Sequence, residues 1–182
     1  MHNFDELDRK DLNKIKLLFL KLKKEKIIKN IGISIYDVKN LNKIKHFDCI
    51  NIIQTPINLF DRRFIKKDIL NFLKKKNIKL QARSIFLQGL LLEKLEDLKK
   101  TRFKENKTLK LYNSWIGKKE RQPLKTCLDF IKNEKNIYNA VVGINNTQQL
   151  KEIVKLIRSK RKLNFPKKIF TLEEKIIDPR KW

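Results

Sequence analysis

No apolar run in these 182 residues approaches the roughly 18 needed to cross a bilayer, so neither a membrane-spanning helix nor a membrane partner is expected. The opening residues, MHNFDELDRKD, lack the basic start and apolar stretch of a secretory signal, and a cytoplasmic location is the expectation. Cysteine occurs twice. Cys49 and Cys127 have no CxxC spacing and no His beside them, which predicts reduced, buried, small apolar side chains, with a disulfide or metal role as the alternative. No zinc-type spacing, serine elbow, P-loop or Gly-rich dinucleotide turn appears, so no metal site is expected. Acidic residues are scarce, 20 against 45 Lys and Arg, which leaves a net charge of +25. Such a balance suits a polyanion partner. The lysines, however, spread along every predicted helix and turn, and Ile and Asn abound too, as AT-rich coding would give. Weak, salt-sensitive, nonspecific adhesion to nucleic acid follows on either account.

What is present is an alternation of two apolar periods. Between Asp8 and Lys26, Ile15, Leu18, Phe19 and Leu22 recur at helical spacing. A β-branched run follows at Ile31–Ser34, then a short helix at Asp37–Ile44 and an Ile-rich strand at Cys49–Gln54, which Pro56 ends. A helix over Lys66–Lys75 precedes a strand over Ile78–Ser84. Leu90–Gln122 is the least regular stretch, with one helical piece near Leu92–Lys100. Pro123 then suits a first helical position, ahead of the stripe Leu124, Cys127, Leu128 and Ile131. A strand at Ala140–Gly143 leads into a helix capped by Asn146 or Thr147, with Leu150, Ile153, Val154 and Ile157 expected to be buried. Residues 158–182 read as an extended tail with a short helix at most. Near-continuous apolar strands separated by amphipathic helices indicate one domain, 1–182, built on a parallel sheet covered by helices. Three of the four glycines, Gly32, Gly89 and Gly143, lie in or just after predicted strands, where a ligand-binding edge needs small residues.

The segments KIIKNIGISIYD, FDCINIIQTPINLFDRR and IKLQARSIFLQGLLL resemble, in order and spacing, the middle strands of the aldo/keto reductases. NAVVGINNTQQLKEIV is similar to that family's last strand and helix, and IIDPRKW to the C-terminus of one bacterial branch. The resemblance implies a (β/α)8 TIM barrel that binds NADPH or NADH at the C-terminal mouth of its strands and reduces a small carbonyl substrate by hydride transfer. A complete barrel takes about 250 residues. The expectation is therefore a partial barrel, roughly the C-terminal half.

MHNFDEL resembles the end of the fourth strand, which places His2 at the substrate-orienting histidine; an exposed terminal His without a role is the alternative. The family's catalytic Asp, Tyr and Lys would lie on earlier strands and are not present in this chain. His46 reads as a surface residue. Ser34 and Gln54, ending successive strands, are implied to face the nicotinamide carboxamide, or else act as structural polar caps. Ile35 stands where many relatives carry a second amide side chain. Asn58 and Arg62 divide between site residues and ordinary turn chemistry. Arg83 occupies the position of an aromatic ring that stacks on nicotinamide, and a guanidinium can stack in its place. Ser84, Phe86, Leu87, Gln88 and Gly89 are implied to wrap the cofactor diphosphate through backbone N–H groups, against the alternative of a plain turn. Gly143, Asn145 and Gln149 would form the adenosine phosphate cradle at a helix N-terminus. Gln149 stands where many relatives place an arginine for the 2′-phosphate. Glu152 matches an adenine-contacting acid, or is a solvated helix carboxylate.

The function expected is thus an NAD(P)-dependent oxidoreductase of aldo/keto reductase type, truncated and inactive as this chain alone, with a separate N-terminal half or self-association completing it. A basic nucleic-acid-binding module and a noncatalytic remnant are the alternatives.

Overall fold

The computed structural model describes residues 1–2, 4–45, 47–98, 100–118, 121–158 and 165–182. Four strands, β1 (Gly32–Ser34), β2 (Ile52–Pro56), β3 (Lys79–Arg83) and β4 (Ile137–Ala140), form one sheet in sequence order, every pair parallel. Parallel neighbours need long crossovers, and helices supply them here. These are α1 (Arg9–Lys24) before β1, α2 (Leu41–Ile44) and α3 (Lys67–Lys75) between strands, α4 (Leu95–Leu98), α5 (Lys107–Gly117) and α6 (Pro123–Asn133) before β4, and α7 (Thr147–Ile157) after it. The core lies between sheet and helices, with Ile33, Ile53, Leu80 and Ala82 pointing into it at 2% exposure or less.

The ladder reaches one residue beyond β1. The Met1 ammonium donates to the Gly32 carbonyl at 2.6 Å and the Ser34 N–H donates to the Met1 carbonyl at 2.8 Å. That pair of bonds is a parallel bridge. Met1 thus holds the register of a further strand, and His2 stands at its C-terminal end, level with Ser34.

Three expectations need correction. The strand expected at Ala140–Gly143 lies three residues earlier, at Ile137–Ala140, and beyond it only the Val141 N–H continues the ladder, to the Ala82 carbonyl at 2.8 Å. A full helix, α5, occupies part of the stretch read as irregular: Asn106 caps it by accepting from the Leu109 N–H, and Leu109 and Tyr112 are buried. Finally, α7 buries only Ile153. Leu150, Val154 and Ile157 remain about two-fifths exposed, at 42%, 38% and 41%, since nothing in the described chain covers that side. A matching exposed face lies on α1, where Leu17, Leu18 and Leu20 face outward while Leu12 packs inward.

The loop after β2 is rigid for reasons of hydrogen bonding. Asn58 is fully buried; its Oδ1 accepts from the N–H groups of Phe60 and Asp61, and its Nδ2 donates to the Ser84 carbonyl at 3.1 Å. Asp61, also buried, accepts two bonds from the Arg63 guanidinium at 2.9 and 2.8 Å. Arg62 donates to the Leu59 and Pro166 carbonyls, lies over the Phe130 ring and feels the Glu134 carboxylate without a direct ion pair among the described residues. Asn58 and Arg62 are therefore turn and packing residues.

The C-terminal segment holds three short helical turns, Lys167–Ile169, α8 (Glu174–Ile177) and Pro179–Lys181, and buries Ile169, Ile176 and Ile177. Thr171 N–H donates to the Phe60 carbonyl, tying this segment to the loop after β2. Asp178 accepts from the Arg180 N–H and from its guanidinium at 2.9 and 2.7 Å.

Two outcomes follow from this scaffolding. Asn58→Ala should lower unfolding free energy by about 2–4 kcal/mol, because it strands buried backbone groups as well as losing bonds; an unchanged denaturant midpoint would contradict it. The hydrogen-bonded Arg180 guanidinium holds the Asp178 carboxyl below the ordinary Asp value of about 3.9. A depressed acid contributes stability that is complete above the unfolded pKa and is lost as pH falls through the lower, folded one. Wild type should therefore melt higher than Asp178→Asn near neutrality, and the gap should close only in strong acid; a gap constant with pH would refute the assignment.

Candidate functional site

Parallel pairing sends all four strand C-termini to one side, and the polar side chains of the apolar strands gather there. Register sets Ser34 beside Gln54, Gln54 beside Gln81, and Gln81 beside Asn139. A ladder of amides results: Gln54 Nε2 donates to Gln81 Oε1 at 2.7 Å, and Gln81 Nε2 donates to Asn139 Oδ1 at 2.8 Å. The half-buried amides of Gln54 and Gln81 offset each other's desolvation, and the exposed Asn139 ends the ladder. Gln54 lines a cavity of about 400 Å³ together with Met1, His2, Gly32, Ser34 and Gln81. None of the residues lining this cavity is a Tyr, Lys, Asp or Glu.

A second cavity, about 630 Å³, opens between the loop after β3 and the segment joining β4 to α7. It is lined by Arg83, Ser84, Phe86, Gln88 and Gly89 from the first, and Gly143, Asn145, Gln149 and Glu152 from the second, with Leu92, Leu124 and Ile153 as apolar walls. The first loop is wound tightly. Ser84, Leu87 and Gln88 have positive φ of 53°, 49° and 54°, and Gly89 has 90°. For the non-glycine residues such a backbone costs of order 1–3 kcal/mol each and persists only where surroundings enforce it. Asn58 enforces it at Ser84 by holding that carbonyl. The bonds closing the turn use the N–H groups of Leu87, Gly89, Leu90, Leu91 and Leu92, and not those of Phe86 and Gln88. A tight turn of this kind can turn N–H groups toward an anion. Gly89 and Gly143 both face open space, with nothing within 4 Å of where a Cβ would lie.

At the opposite wall Asn146 caps α7 by accepting from the Gln149 N–H, while Gln149 Oε1 accepts from the Asn145 N–H at 2.8 Å. Gln149 is thus folded onto the backbone of its own loop. Glu152 Oε1 accepts from Gln122 Nε2.

Arg83 joins the two cavities. Its Nε donates to Ser34 Oγ and its Nη1 to Ser84 Oγ, both at 3.3 Å. Its guanidinium carbon sits 3.8 Å from the centre of the Tyr36 ring, and Arg180 lies 3.7 Å from the same ring. Arg83 lies, as expected, at a strand mouth, but a protein ring, Tyr36, takes one of its faces.

Of the residues singled out in the sequence, His2, Ser34 and Gln54 share the first cavity, and Arg83, Ser84, Phe86, Gln88, Gly89, Gly143, Asn145, Gln149 and Glu152 share the second. Leu87 joins neither: its side chain is fully buried and its N–H donates to the Ser84 carbonyl. His46 lies outside the described residues. Sequence reading passed over Gln81, Asn139, Tyr36 and Arg180. A signal existed for the first two, polar residues interrupting apolar strands at matching depth; the stacking of Arg180 on Tyr36 joins residues too distant in sequence to leave one.

Both cysteines are free and buried. Burial pushes the Cys127 thiol up to about 12 and raises the neighbouring Tyr112 hydroxyl as well, so neither is poised for chemistry near neutrality. No group of three His, Cys, Asp or Glu that could hold a metal occurs among the described residues, nor any helix long and apolar enough to cross a membrane.

Among solved structures, the chain is similar to the aldo-keto reductase AKR11C1 of Bacillus halodurans. It matches the apo form with a TM-score of 0.70 at 19% identity, covering 90% of this chain and 56% of that one. The holo form matches with a TM-score of 0.68 at 17% identity, covering 92% and 57%. The thermostable aldo-keto reductase Tm1743, in complex with the inhibitor epalrestat, matches at 0.60 and 19% identity over 82% and 50%. At these identities the likeness concerns the fold: four parallel strands alternating with helices, a part of a TIM barrel, in a chain that spans just over half the length of the Bacillus halodurans enzyme. No curated protein sequence matches significantly. The family model described as "Aldo/keto reductase family" matches residues 5–168, nearly the whole chain, and the protein therefore belongs to the aldo/keto reductase family.

Proposed function

We propose that this chain forms the nicotinamide-cofactor wall of an NAD(P)-dependent aldo/keto reductase site, and that it does not reduce carbonyls by itself. The observation that carries the reading is the second cavity, where two loops far apart in sequence, 83–89 and 143–152, face each other at the same ends of parallel strands. The residues suit such a ligand. The tight turn leaves the Phe86 and Gln88 N–H groups outside its own bonding, Gly89 and Gly143 leave room for backbone approach, and the Gln54 carbonyl oxygen can accept from a carboxamide. Phosphate oxygens would lie against the first loop and the α7 N-terminus, and the carboxamide against Ser34 and Gln54. The bound cofactor supplies the hydride; these residues orient it and exclude water.

His2, at the mouth of the first cavity, would orient a small carbonyl substrate by a hydrogen bond. No Tyr, Lys, Asp or Glu lines that cavity to serve as the general acid, and general acid catalysis is typically worth about 10²–10⁴-fold. A complete site on this reading needs the Tyr, Lys and Asp of an N-terminal half, in the same polypeptide or another. The free buried cysteines fit a protein working in the cytoplasm.

The chain alone should bind NADPH, seen as a change in its fluorescence on titration, yet show no steady carbonyl-dependent oxidation of it. Co-expression with a complementary N-terminal half should restore turnover. Absence of binding would remove the cofactor reading, and steady turnover by the chain alone would remove the claim of inactivity. Gln149→Arg should raise the NADPH-to-NADH affinity ratio by about tenfold, the scale of one charge-assisted contact to phosphate; an unchanged ratio would mean that this helix does not meet the 2′-phosphate.

A further inference from the structure

Three arginines cluster at the strand mouths, and two of them are neutralised. Arg63 is clamped by Asp61 and Arg180 by Asp178, each through a two-pronged bond to a carboxylate. Arg83 has no carboxylate partner among the described residues. Its two hydrogen bonds go to neutral hydroxyls at 3.3 Å, beyond the usual 2.7–3.2 Å, and its Nη2 is buried with no acceptor at all. A half-buried guanidinium in this condition is costly, since it has surrendered water without gaining an anion. It is nonetheless held in place, stacked on Tyr36, which Arg180 backs from its own contact with the ring. The one acid lining the adjoining cavity, Glu152, is engaged by Gln122.

We infer that Arg83 is an oxyanion seat, and that the carbonyl compound entering this cleft carries a carboxylate or phosphate beside its carbonyl group. The inference rests on the cofactor-site reading above and adds the substrate's charge to it. Position favours the substrate over the cofactor diphosphate as source of the oxyanion. Arg83 lines the second cavity, but its Nε donates to Ser34, which lines the first cavity with His2 and Gln54, so the guanidinium stands on the side of the cleft where the carbonyl would lie. Planar, two-pronged donation suits a carboxylate, and a lysine in its place would supply the charge without the fork.

The test follows the Arg83 Nε signal by nitrogen NMR while the full chain is titrated separately with pyruvate, its neutral amide, inorganic phosphate and NADPH. Calorimetry on wild type, Arg83→Gln and Arg83→Lys accompanies it. Pyruvate should shift the Arg83 signal and bind about tenfold or more tightly than the amide, a preference that Arg83→Gln abolishes and Arg83→Lys keeps in part. Because the NMR titration uses only wild type, misfolding of a variant does not remove the test. If neither pyruvate nor phosphate moves the signal at tens of millimolar, the seat does not exist. If NADPH alone moves it, the guanidinium serves the cofactor and the inference about substrate falls while the cofactor reading stands. A shift with pyruvate in a chain that fails to bind NADPH would keep the oxyanion seat and sink the cofactor reading instead.

Discussion

The strand register is the constraint on which the other features depend. Side chains in a strand alternate faces with a period of two, so a slip of one residue between β2 and β3 would turn Gln81 into the core and Leu80 out of it. With the observed pairing the three amides of Gln54, Gln81 and Asn139 meet edge to edge and the isoleucines pack together. Polar satisfaction and apolar burial thus select the same register, and such agreement between levels is what gives a sequence one structure. The same register places Ser34, Gln54 and Gln81 at one level, with Arg83 two residues further along β3, so the cleft is a consequence of sheet geometry before any loop is considered.

Loops then refine what the sheet provides, and they do so through residues that touch no ligand. Asn58 holds the Ser84 carbonyl and thereby supports a left-handed residue at the start of the 84–89 turn. Asp61 fixes Arg63, Phe60 binds Thr171 through its carbonyl, and the C-terminal turn brings Arg180 onto Tyr36. A chain of short contacts so connects the loop after β2, the C-terminal segment and the Arg83 guanidinium. The residues most firmly buried in it, Asn58 and Asp61, are polar; each stabilises by satisfying backbone or guanidinium groups that would otherwise be stranded.

Much of this architecture was legible in the residues. The alternation of β-branched runs with helical stripes marks all four strands and the larger helices except α5, because apolar period is a local property. The errors have physical causes. At Ala140–Gly143 the apolar run outlasts its ladder, and composition cannot reveal where a neighbour stops donating. In α7 the stripe at Leu150, Val154 and Ile157 is genuine, but burial depends on what lies opposite, which pattern does not specify. Helix α5 carries Asn113, Ser114 and a terminal Gly117, which dilute its propensity, and its Asn106 cap was the signal overlooked. Within the site, Ser84 to Gly89 could be placed on a loop, but four positive φ values in that stretch are a tertiary outcome. Leu87 shows the limit of carrying a motif over position by position, for the turn sends that side chain into the core.

The two exposed apolar faces frame the remaining physics. One is on α1, at Leu17, Leu18 and Leu20; the other comprises Tyr138 and Val141 at the end of β4 and Leu150, Val154 and Ile157 on α7. Exposed strand edges flanked by such faces favour association, and proteins blunt them with lysine. On β3, next to the β4 edge, the Lys79 ammonium lies 4.2 Å from the centre of the exposed Tyr138 ring. Lysine at an edge opposes stray pairing without neutralising the apolar surface behind it. The part of the positive charge that bears on the cleft is Arg83, which has no carboxylate partner among the described residues and stands at the mouth of the sheet between two hydroxyls.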